Sequence, residues 1–479
     1  MPRRGRRAYA SPTMSAVAPL AERRIRDLPG PPGLPLLGNL LQLDSTRLHL
    51  VAERWSRTYG EFFRFRIGNR EFLAIANPEA IAAVLRDRPD GFQRSSKLNA
   101  TARQMGFGGL FSSNGEQWRR QRPMVMAGFD PAHIKTYFPS LVRVTRRFAG
   151  RWRRAAQAGA AIDLQPDLMR YTVDVTAGLA FGADINTIES DEDVIQRHLD
   201  KVLPALFRRV MSPLPAWLPL PGERGLGVHL ATLHRAVQDF IAQARARLER
   251  DPSLRGRPTN LIEAMIGARD TTGSGVDDAD VAGNVLTMLL AGEDTTANTL
   301  AWMIYLMSRH PEALRRAREE VDGKNAEKYE DVSALPYLDA CINETMRLKP
   351  VAPLLLLEPI RDTRLGELEL PAGTLIMCLM RAGATDERRF PDAQAFDPGR
   401  WLTGVSATSA KRAAMPFGAG PRLCPGRYLA MLEMKMVMAM LLSQFEIQSV
   451  TTPDGGEAKE HLAFTMSPIG LKLLLKNGV

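Results

Sequence analysis

Residues 417–426 read Phe-Gly-Ala-Gly-Pro-Arg-Leu-Cys-Pro-Gly, and the rest of the chain is organised around this segment. Its first two glycines allow a tight backbone turn ahead of a single thiol, Cys424. Pro425 suits the first position of a helix, and the residues from Arg427 to Leu442 are apolar at helical spacing. Because Cys424 would then lie at the positive end of a helix dipole, its thiolate is favoured, and the segment predicts a metal-ligand loop.

A thiolate in a dry pocket suits an iron porphyrin, to which an axial cysteine donates electron density. The order F-G-x-G-x-R-x-C-x-G resembles the haem-thiolate signature of the cytochromes P450. This resemblance implies haem b as the cofactor, Cys424 as its iron ligand, Phe417 against the sulfur side and Arg422 on a propionate. Gly418 and Gly426 would belong to the same cofactor-binding loop. The alternative is an inert buried cysteine in an unrelated loop.

A second organising segment, from Val281 to Arg309, predicts a helix of ~40 Å at ~1.5 Å per residue. Its apolar residues lie on nearly all sides, which indicates a buried helix. Burying polar groups costs free energy, so the polar residues 293–296 are expected to have hydrogen-bond partners or a function. Gly292 weakens the helix, and the Thr295 hydroxyl can bond the Ala291 carbonyl, which together predict a local bulge or kink. The alternative is a polar patch that bonds only to its neighbours.

The order Ala-Gly-Glu-Asp-Thr-Thr at residues 291–296 resembles the P450 motif A-G-x-(D/E)-T-T. The resemblance implies that this helix crosses the distal face of the haem. Asp294 would relay the protons needed to split dioxygen, and Thr295 would hold the oxygen with its water. Ala291 would leave space for oxygen and substrate above the iron.

Trp118 and Arg122 are four residues apart and share one face of a predicted helix, where an indole N–H and a guanidinium can bind one carboxylate. The spacing matches the W-x-x-x-R pair of the family, which implies contact with a haem propionate. Just upstream, residues 89–114 are rich in glycine and predict a long loop. By resemblance this loop covers the distal haem face with Phe111 directed at the porphyrin; the alternative for Phe111 is an ordinary core aromatic.

Further candidates for the substrate pocket follow in the C-terminal half. Residues 348–355 are predicted to run extended beside the haem, with Val351, Ala352 and Leu354 as pocket wall. Phe464 lies in a predicted hairpin from His461 to Leu474. All four residues can equally be ordinary core residues.

Glu344 and Arg347 lie three residues apart on a helix predicted from Leu335 to Leu348. Arg400 follows about fifty residues later, and this order resembles the E-x-x-R helix and the arginine-bearing meander of the family. The resemblance implies a buried Glu–Arg–Arg cluster with a structural role, in which the loss of one member leaves a buried charge unpaired.

The composition restricts the compartment and the partners. Three cysteines without paired spacing argue against a disulfide framework or a zinc site, so a reducing compartment, the cytoplasm, is expected. The net charge of +10 comes without a nucleic-acid motif. By resemblance it suits an acidic ferredoxin or flavodoxin with its NAD(P)H reductase. The candidates for the docking face are Arg119, Arg120, Lys411, Arg412 and Arg427, although each can be merely a solvated charge.

The N-terminal residues carry arginines, prolines and no long apolar run. We expect residues 1–27 to be a disordered basic arm and residues 28–479 to be one domain, with no transmembrane anchor and a monomeric state. The proline-rich segment Leu28 to Gly38 resembles the hinge that opens many P450 chains. Two helices are predicted over residues 191–211 and 224–250, and their joint contains Trp217. The resemblance implies that this joint belongs to a lid that opens for substrate.

Taken together, the resemblance implies a mainly α (α+β) P450 fold, a single large helical domain with small β-sheets and the haem between the long central helix and the Cys loop. The implied function is monooxygenation of a hydrophobic small molecule, a lipid, terpenoid, steroid or polyketide, with electrons from separate partners. The chain ends soon after the last predicted strands, so no fused reductase is expected. Two alternatives are a peroxide-driven or rearranging relative and a non-catalytic haem-thiolate sensor or electron carrier.

Overall fold

The computed structural model describes residues 23–190, 194–212, 214, 220, 223, 225–271, 273–402 and 404–478. Helices make up most of this part of the chain, and their apolar faces meet in one large core. The helices are α1 Leu48–Tyr59, α2 Pro78–Arg86, α3 Ser96–Gln104, α4 Gly115–Gly128, α5 Pro131–Gln157, α6 Leu164–Phe181, α7 Val194–Met211, α8 Leu226–Arg250, α9 Leu261–Asp270, α10 Asp278–Arg309, α11 Pro311–Val321, α12 Tyr329–Ser333, α13 Pro336–Leu348, α14 Gly404–Ala414 and α15 Arg427–Gln444.

Small sheets border the helical core. The strands are β1 Phe62–Ile67, β2 Arg70–Ile75, β3 Phe92–Arg94, β4 Ile162–Asp163, β5 Leu354–Pro359, β6 Thr363–Leu365, β7 Leu368–Leu370, β8 Leu375–Leu379, β9 Phe445–Thr451, β10 Glu460–Leu462, β11 Met466–Pro468 and β12 Lys472–Asn477. One sheet has the order β1-β2-β8-β5-β3, with β2 and β8 parallel. A second has the order β4-β12-β9, and β6-β7 and β10-β11 are separate pairs. The mainly helical α+β architecture expected from the sequence is confirmed.

Most elements with clear periodicity lie where the sequence predicts them. The sequence predicts a hairpin of strands over residues 62–67 and 71–75, a helix over residues 78–86 and a helix over residues 427–442. The strands β1 and β2 and the helices α2 and α15 agree with these ranges to within two residues. The lid helices α7 and α8 are also present, while Trp217 and most of their joint fall outside the described residues. Burial alternates along β1, as in a strand with one face in the core, and Pro78 lies in the first turn of α2, where its missing N–H costs nothing.

The predicted long loop at residues 89–114 is wrong in part, because it contains the helix α3 and the short strand β3. Ser95 caps α3, since its hydroxyl accepts a hydrogen bond from the Leu98 N–H at 3.4 Å. Leu98 and Ala102 bury one face of the helix. The surrounding glycines hid this short helix, whose stability comes from packing rather than from propensity.

The C-terminal hairpin differs from the prediction as well. The strands β10 and β11 pair with each other, so the hairpin ends at Pro468. The residues near Leu474 belong instead to β12, which pairs with β9 and with β4. Sequence periodicity shows that a segment is a strand but does not choose between distant partners.

The helix α10 passes through the core and packs along α6, α8, α9 and α13. A reciprocal cap begins it, since the Asp277 carboxylate accepts from the Asp280 N–H at 2.7 Å and the Asp280 carboxylate from the Asp277 N–H at 3.3 Å. Its backbone is α-helical at every residue, so the predicted bulge near residues 291–296 is not present. A Cβ on Gly292 would lie 2.5 Å from the Thr176 hydroxyl, so this glycine serves close packing on α6.

The residues at the N-terminal boundary require a correction. Arg23 pairs with the β7 strand, because its N–H donates to the Glu367 carbonyl at 3.2 Å and its carbonyl accepts from the Glu369 N–H at 2.9 Å. Residues 25–27 form one 3-10 turn. Residues 23–27 are therefore part of the folded chain and not of a disordered arm. Within the described ranges, no helix is long and apolar enough to cross a membrane.

A buried ionic cluster joins α13 to the segment before α14. Arg347 makes two hydrogen bonds to Glu344, at 2.7 Å and 2.8 Å. Arg400 lies 3.4 Å from the same carboxylate, and the Trp401 indole donates to it at 2.9 Å. The structure therefore brings together the three residues that the sequence assigned to a structural cluster, and it adds Trp401.

Candidate functional site

The Cys loop is a tight turn fixed by backbone hydrogen bonds. The Cys424 N–H donates to the Phe417 carbonyl at 3.0 Å, and the Gly418 N–H donates to the Met415 carbonyl at 2.8 Å. Gly420 has a φ of 70°, and a Cβ at this position would lie 2.7 Å from the Arg86 Cα. A side chain is excluded there, so the close approach of the loop to α2 depends on this glycine.

Cys424 combines an accessible sulfur with enclosed surroundings. Its side chain is exposed, yet burial raises the pKa of the thiol, while the Gly426 N–H and the charges of Arg122 and Arg427 lower it by less. The thiol therefore faces a recess surrounded by protein. Burial therefore opposes the expected thiolate and outweighs the Gly426 N–H and the two arginines; a cation bound to sulfur would stabilise it.

The α10 helix has an accessible position at its centre. Ala291 is exposed and Thr295 is half-buried, although the neighbouring Leu290, Glu293 and Ala297 are buried. Ala291 and Thr295 share one helix face, and the Thr295 hydroxyl donates to the Ala291 carbonyl at 2.8 Å. This bond is the one predicted from the sequence, and it leaves the lone pairs of the hydroxyl available to accept a hydrogen bond.

Asp294 is directed to a polar network and not along the Thr295 face. Its carboxylate accepts a hydrogen bond from the Asn298 amide at 2.7 Å and another from the Thr465 hydroxyl. The Gln165 amide in turn donates to the Asn298 carbonyl oxygen at 2.7 Å. The network joins α10 to α6 and to the β10-β11 turn, and no sequence motif indicated Asn298, Thr465 or Gln165.

Four guanidinium groups form what we call the arginine cluster, Arg88, Arg94, Arg122 and Arg422. Arg122 and Arg422 lie over the Trp118 ring, with centroid distances of 5.9 Å and 5.0 Å. Arg122 donates to the Leu423 carbonyl at 2.7 Å, and Arg422 donates to the Ser113 carbonyl. Among the described residues, no carboxylate forms an ion pair with any member of the cluster.

The electrostatics of the arginine cluster indicate an anion site. Burial and the charges of Arg88 and Arg122 lower the pKa of Arg422 to about 9, and burial lowers the pKa of Arg88 to about 10. The Nε atoms of Arg88, Arg94 and Arg422 are buried without a hydrogen-bond partner. Unpaired buried cations are costly, so the cluster fits a group with several negative charges, as the two propionates of a porphyrin provide.

The candidate pocket residues gather near Phe464. The Phe464 and Phe111 rings meet edge to face at 5.7 Å between centroids. The Val351 carbonyl accepts from the Met466 N–H at 2.8 Å, which brings the segment before β5 beside the same turn. Ala352 is exposed, and Leu354 is half-buried at the start of β5.

Sequence reasoning missed Arg88, Arg94, Asn298 and Thr465. None belongs to a contiguous motif, and an isolated arginine or threonine usually indicates a solvated surface. The signal that identifies Arg88 and Arg94 is burial without a carboxylate partner, which only coordinates reveal.

A thiol loop with an enclosed sulfur, an arginine cluster suited to porphyrin propionates and an open central helix together define a haem-thiolate protein. The chain belongs to the cytochrome P450 family, since the family model "Cytochrome P450" matches residues 28–475. It is accordingly an enzyme of the P450 monooxygenase type.

Individual relatives agree with this assignment. The chain is 30% identical over 452 residues to a cyclooctat-9-en-7-ol 5-monooxygenase of Streptomyces melanosporofaciens, covering 93% of this chain and 94% of the relative. It is 29% identical to a pentalenene oxygenase of Streptomyces avermitilis, covering 93% and 96%. A crystal structure of a cytochrome P450 superposes with a TM-score of 0.81 at 25% identity, covering 94% of this chain and 99% of the other.

Proposed function

We propose that this enzyme inserts one atom of dioxygen into a hydrophobic terpenoid, by hydroxylation or epoxidation, using haem b held by Cys424. The observation that carries the proposal is the accessible position at the centre of α10, where Ala291 is exposed and Thr295 half-buried between the buried Leu290 and Thr296. The names of the two Streptomyces relatives, which specify cyclooctat-9-en-7-ol and pentalenene, support the terpenoid class.

The loop and the arginine cluster supply the contacts that the cofactor needs. Cys424 would ligate the iron, and Trp118, Arg122 and Arg422 would hold the propionates. When bound, the haem supplies the chemistry that activates dioxygen. Phe417 is half-buried beside the loop, Gly418 with its φ of 78° allows the turn that presents the sulfur, and the Gly426 N–H is directed at the sulfur.

Proton delivery is assigned to the Asp294 network. Asp294 can accept and release a proton, while Asn298 and Thr465 hold its carboxylate in place. Thr295 has a separate task, because its hydrogen already goes to the Ala291 carbonyl. Its oxygen can only accept, so Thr295 would orient a water by receiving a hydrogen bond from it.

Substrate would contact a wall that is mostly apolar. Phe111 and Phe464 form an edge-to-face pair, and Val351, Ala352, Leu354 and Ala291 add small or aliphatic surface. Such a wall favours a rigid hydrocarbon over a charged molecule, because burying apolar surface is its main source of affinity.

An acidic ferredoxin or flavodoxin is the electron donor we propose, and its docking site would be the concavity beside the Cys loop. This Cys-loop concavity has a volume of about 950 Å³. Five cations against one acid, Asp339, would attract an acidic partner. The cations lining it are Arg86, Lys411, Arg412, Arg427 and Lys435.

Two of the arginines expected at the docking face are less suitable. Arg119 and Arg120 do not line the Cys-loop concavity. Arg119 is also paired, with Glu116 at 3.1 Å and with Asp90. We place the enzyme in the cytoplasm, which the free thiols of Cys341, Cys378 and Cys424 support. We also propose that it acts as a monomer.

The decisive experiment is optical. The purified haem-loaded protein should give the strongly red-shifted Soret band of a thiolate-ligated ferrous carbon-monoxide complex, and Cys424→His should abolish it. Cys341→Ala, which removes a buried thiol elsewhere, is the matched control and should retain the band. Titration with pentalenene and other hydrocarbons should then displace water from the ferric iron. Survival of the band in Cys424→His would contradict the proposed ligand.

A further inference from the structure

Within the arginine cluster, Arg94 is strongly desolvated and lies near the positive charges of Arg88 and Arg422. Burial lowers the pKa of its guanidinium well below the usual value, and the charges of Arg88 and Arg422 lower it further. Its Nε has no hydrogen-bond partner, yet the residue is only half-buried by accessible surface. Arg94 therefore borders a space inside the molecule, as Cys424 does.

The backbone of Arg94 is held firmly. Arg94 ends the strand β3 and pairs with Leu357 in β5. Its carbonyl accepts a hydrogen bond from the Asn99 amide at 3.1 Å, which ties it to the start of α3. The point from which the Arg94 side chain extends is therefore set by the fold.

One face of the Arg94 guanidinium is occupied by an aromatic ring. Its Cζ lies 3.8 Å from the centroid of the Phe111 ring. Phe111 in turn contacts Phe464, with 5.7 Å between the ring centroids. Stacking uses only the face of the guanidinium, so the N–H groups at its edge remain directed in the plane, where they can reach an anion.

We propose that Arg94 is a positioning residue with two contacts: its edge binds a carboxylate of the haem, and its face holds Phe111 in the wall of the substrate pocket. Loading the haem would then fix the position of Phe111, so the pocket takes its working shape only in the holoenzyme. The inference rests on the proposed haem site, and it adds a residue outside the family motifs.

Four measurements on the Arg94→Gln variant test this role. The apoprotein should melt at the same temperature as the wild type or higher, because an unpaired buried charge is removed. Haem should pass from the variant to apomyoglobin roughly tenfold faster than from the wild type, because the variant lacks a charge-assisted hydrogen bond to the haem. The reduction potential of the haem should fall, since a nearby positive charge favours electron uptake.

The fourth measurement concerns Phe111. Affinity for 4-phenylimidazole should fall about threefold relative to unsubstituted imidazole, because only the phenyl group reaches the pocket wall. Arg94→Lys should keep most of the reduction potential but lose the stacking effect, since an ammonium has no planar face. Arg103→Gln, an exposed arginine on α3, is the control and should match the wild type in all four measurements.

Other outcomes would overturn the proposal. A lower melting temperature of the apoprotein with unchanged haem transfer and potential would make Arg94 a purely structural residue. An unchanged ratio of the two imidazole affinities would separate Arg94 from Phe111. Failure of the haem site itself would be recognised independently, by the Soret band of the Cys424→His variant.

Discussion

The Thr465 hydroxyl donates a hydrogen bond to the carboxylate of Asp294, although 171 positions separate the two residues. A turn from the small C-terminal β10-β11 hairpin therefore reaches the centre of the longest helix. The same turn carries Phe464, so one short segment contacts both the acid proposed for proton delivery and the proposed pocket wall.

Thr465 should matter for proton delivery. In Thr465→Val, Asp294 loses one hydrogen-bond donor, and product formation should slow by about tenfold or more. The solvent hydrogen isotope effect on turnover should increase, while the carbon-monoxide spectrum stays unchanged. Asp294→Asn should slow turnover further. Equal rates for wild type and Thr465→Val would remove the β10-β11 turn from the proton path.

Thr295 should control the use of electrons. Thr295→Ala removes the acceptor oxygen that orients a water, so NAD(P)H consumption should continue while hydrogen peroxide replaces much of the product. The ratio of product to NAD(P)H consumed measures this effect. Thr299→Ala is a control on the same helix, since the Thr299 hydroxyl donates only to the Thr295 carbonyl, at 2.8 Å. Unchanged coupling in Thr295→Ala would exclude this role.

The buried Glu344 should be essential for stability. Glu344→Ala leaves the Arg347 and Arg400 charges without their carboxylate and should cost about 3–5 kcal/mol in the free energy of unfolding. Urea unfolding of the apoprotein measures this. Glu312→Ala is the comparison, because Glu312 makes the same i,i+3 pair with Arg315 on the surface, and its loss should change little. If both variants lost similar amounts of unfolding free energy, burial would not explain the importance of Glu344.

Glu460 should make stability depend on pH. Burial would raise the pKa of its carboxyl, but the hydrogen bond from His49 and the charges of Arg381 and Lys349 more than offset burial, so the pKa is lowered. A lowered pKa in the folded state stabilises the protein above the ordinary value of 4.5, and this contribution is lost as the pH falls below it. Glu460→Gln should therefore melt lower than wild type at pH 7.

The difference between the two melting temperatures should shrink as the pH is lowered below the ordinary carboxyl pKa. A difference that stays constant from neutral to acid pH would show that lost packing, and not lost charge, destabilises Glu460→Gln.

The Cys-loop concavity should govern electron transfer. Reversing Lys411 and Arg412 to Glu should slow reduction by an acidic ferredoxin, and more at low salt than at high salt, because screening weakens the attraction. Stopped-flow reduction under carbon monoxide measures the rate. Arg119→Glu with Arg120→Glu is the charge-matched comparison outside the concavity. If that pair slows reduction more, the docking face lies elsewhere.

Contiguous motifs accounted for most of what the sequence predicts correctly. The Cys loop before α15 and the polar centre of α10 each depend on neighbouring residues, so turn chemistry and helical periodicity were sufficient to find them. The helical spacing of Ala291 and Thr295 also predicted the bond from the Thr295 hydroxyl to the Ala291 carbonyl, because that bond lies within about one helical turn.

Only the tertiary structure decided the remaining features. Arg94 beside Phe111, Thr465 beside Asp294 and β12 beside β9 are pairs that no local pattern selects, since their partners are distant in the chain. The same holds for the pKa of Cys424, in which burial outweighs the Gly426 N–H and the charges of Arg122 and Arg427. Local chemistry determined the Cys loop and the polar centre of α10, and packing determined which charges and rings lie around them.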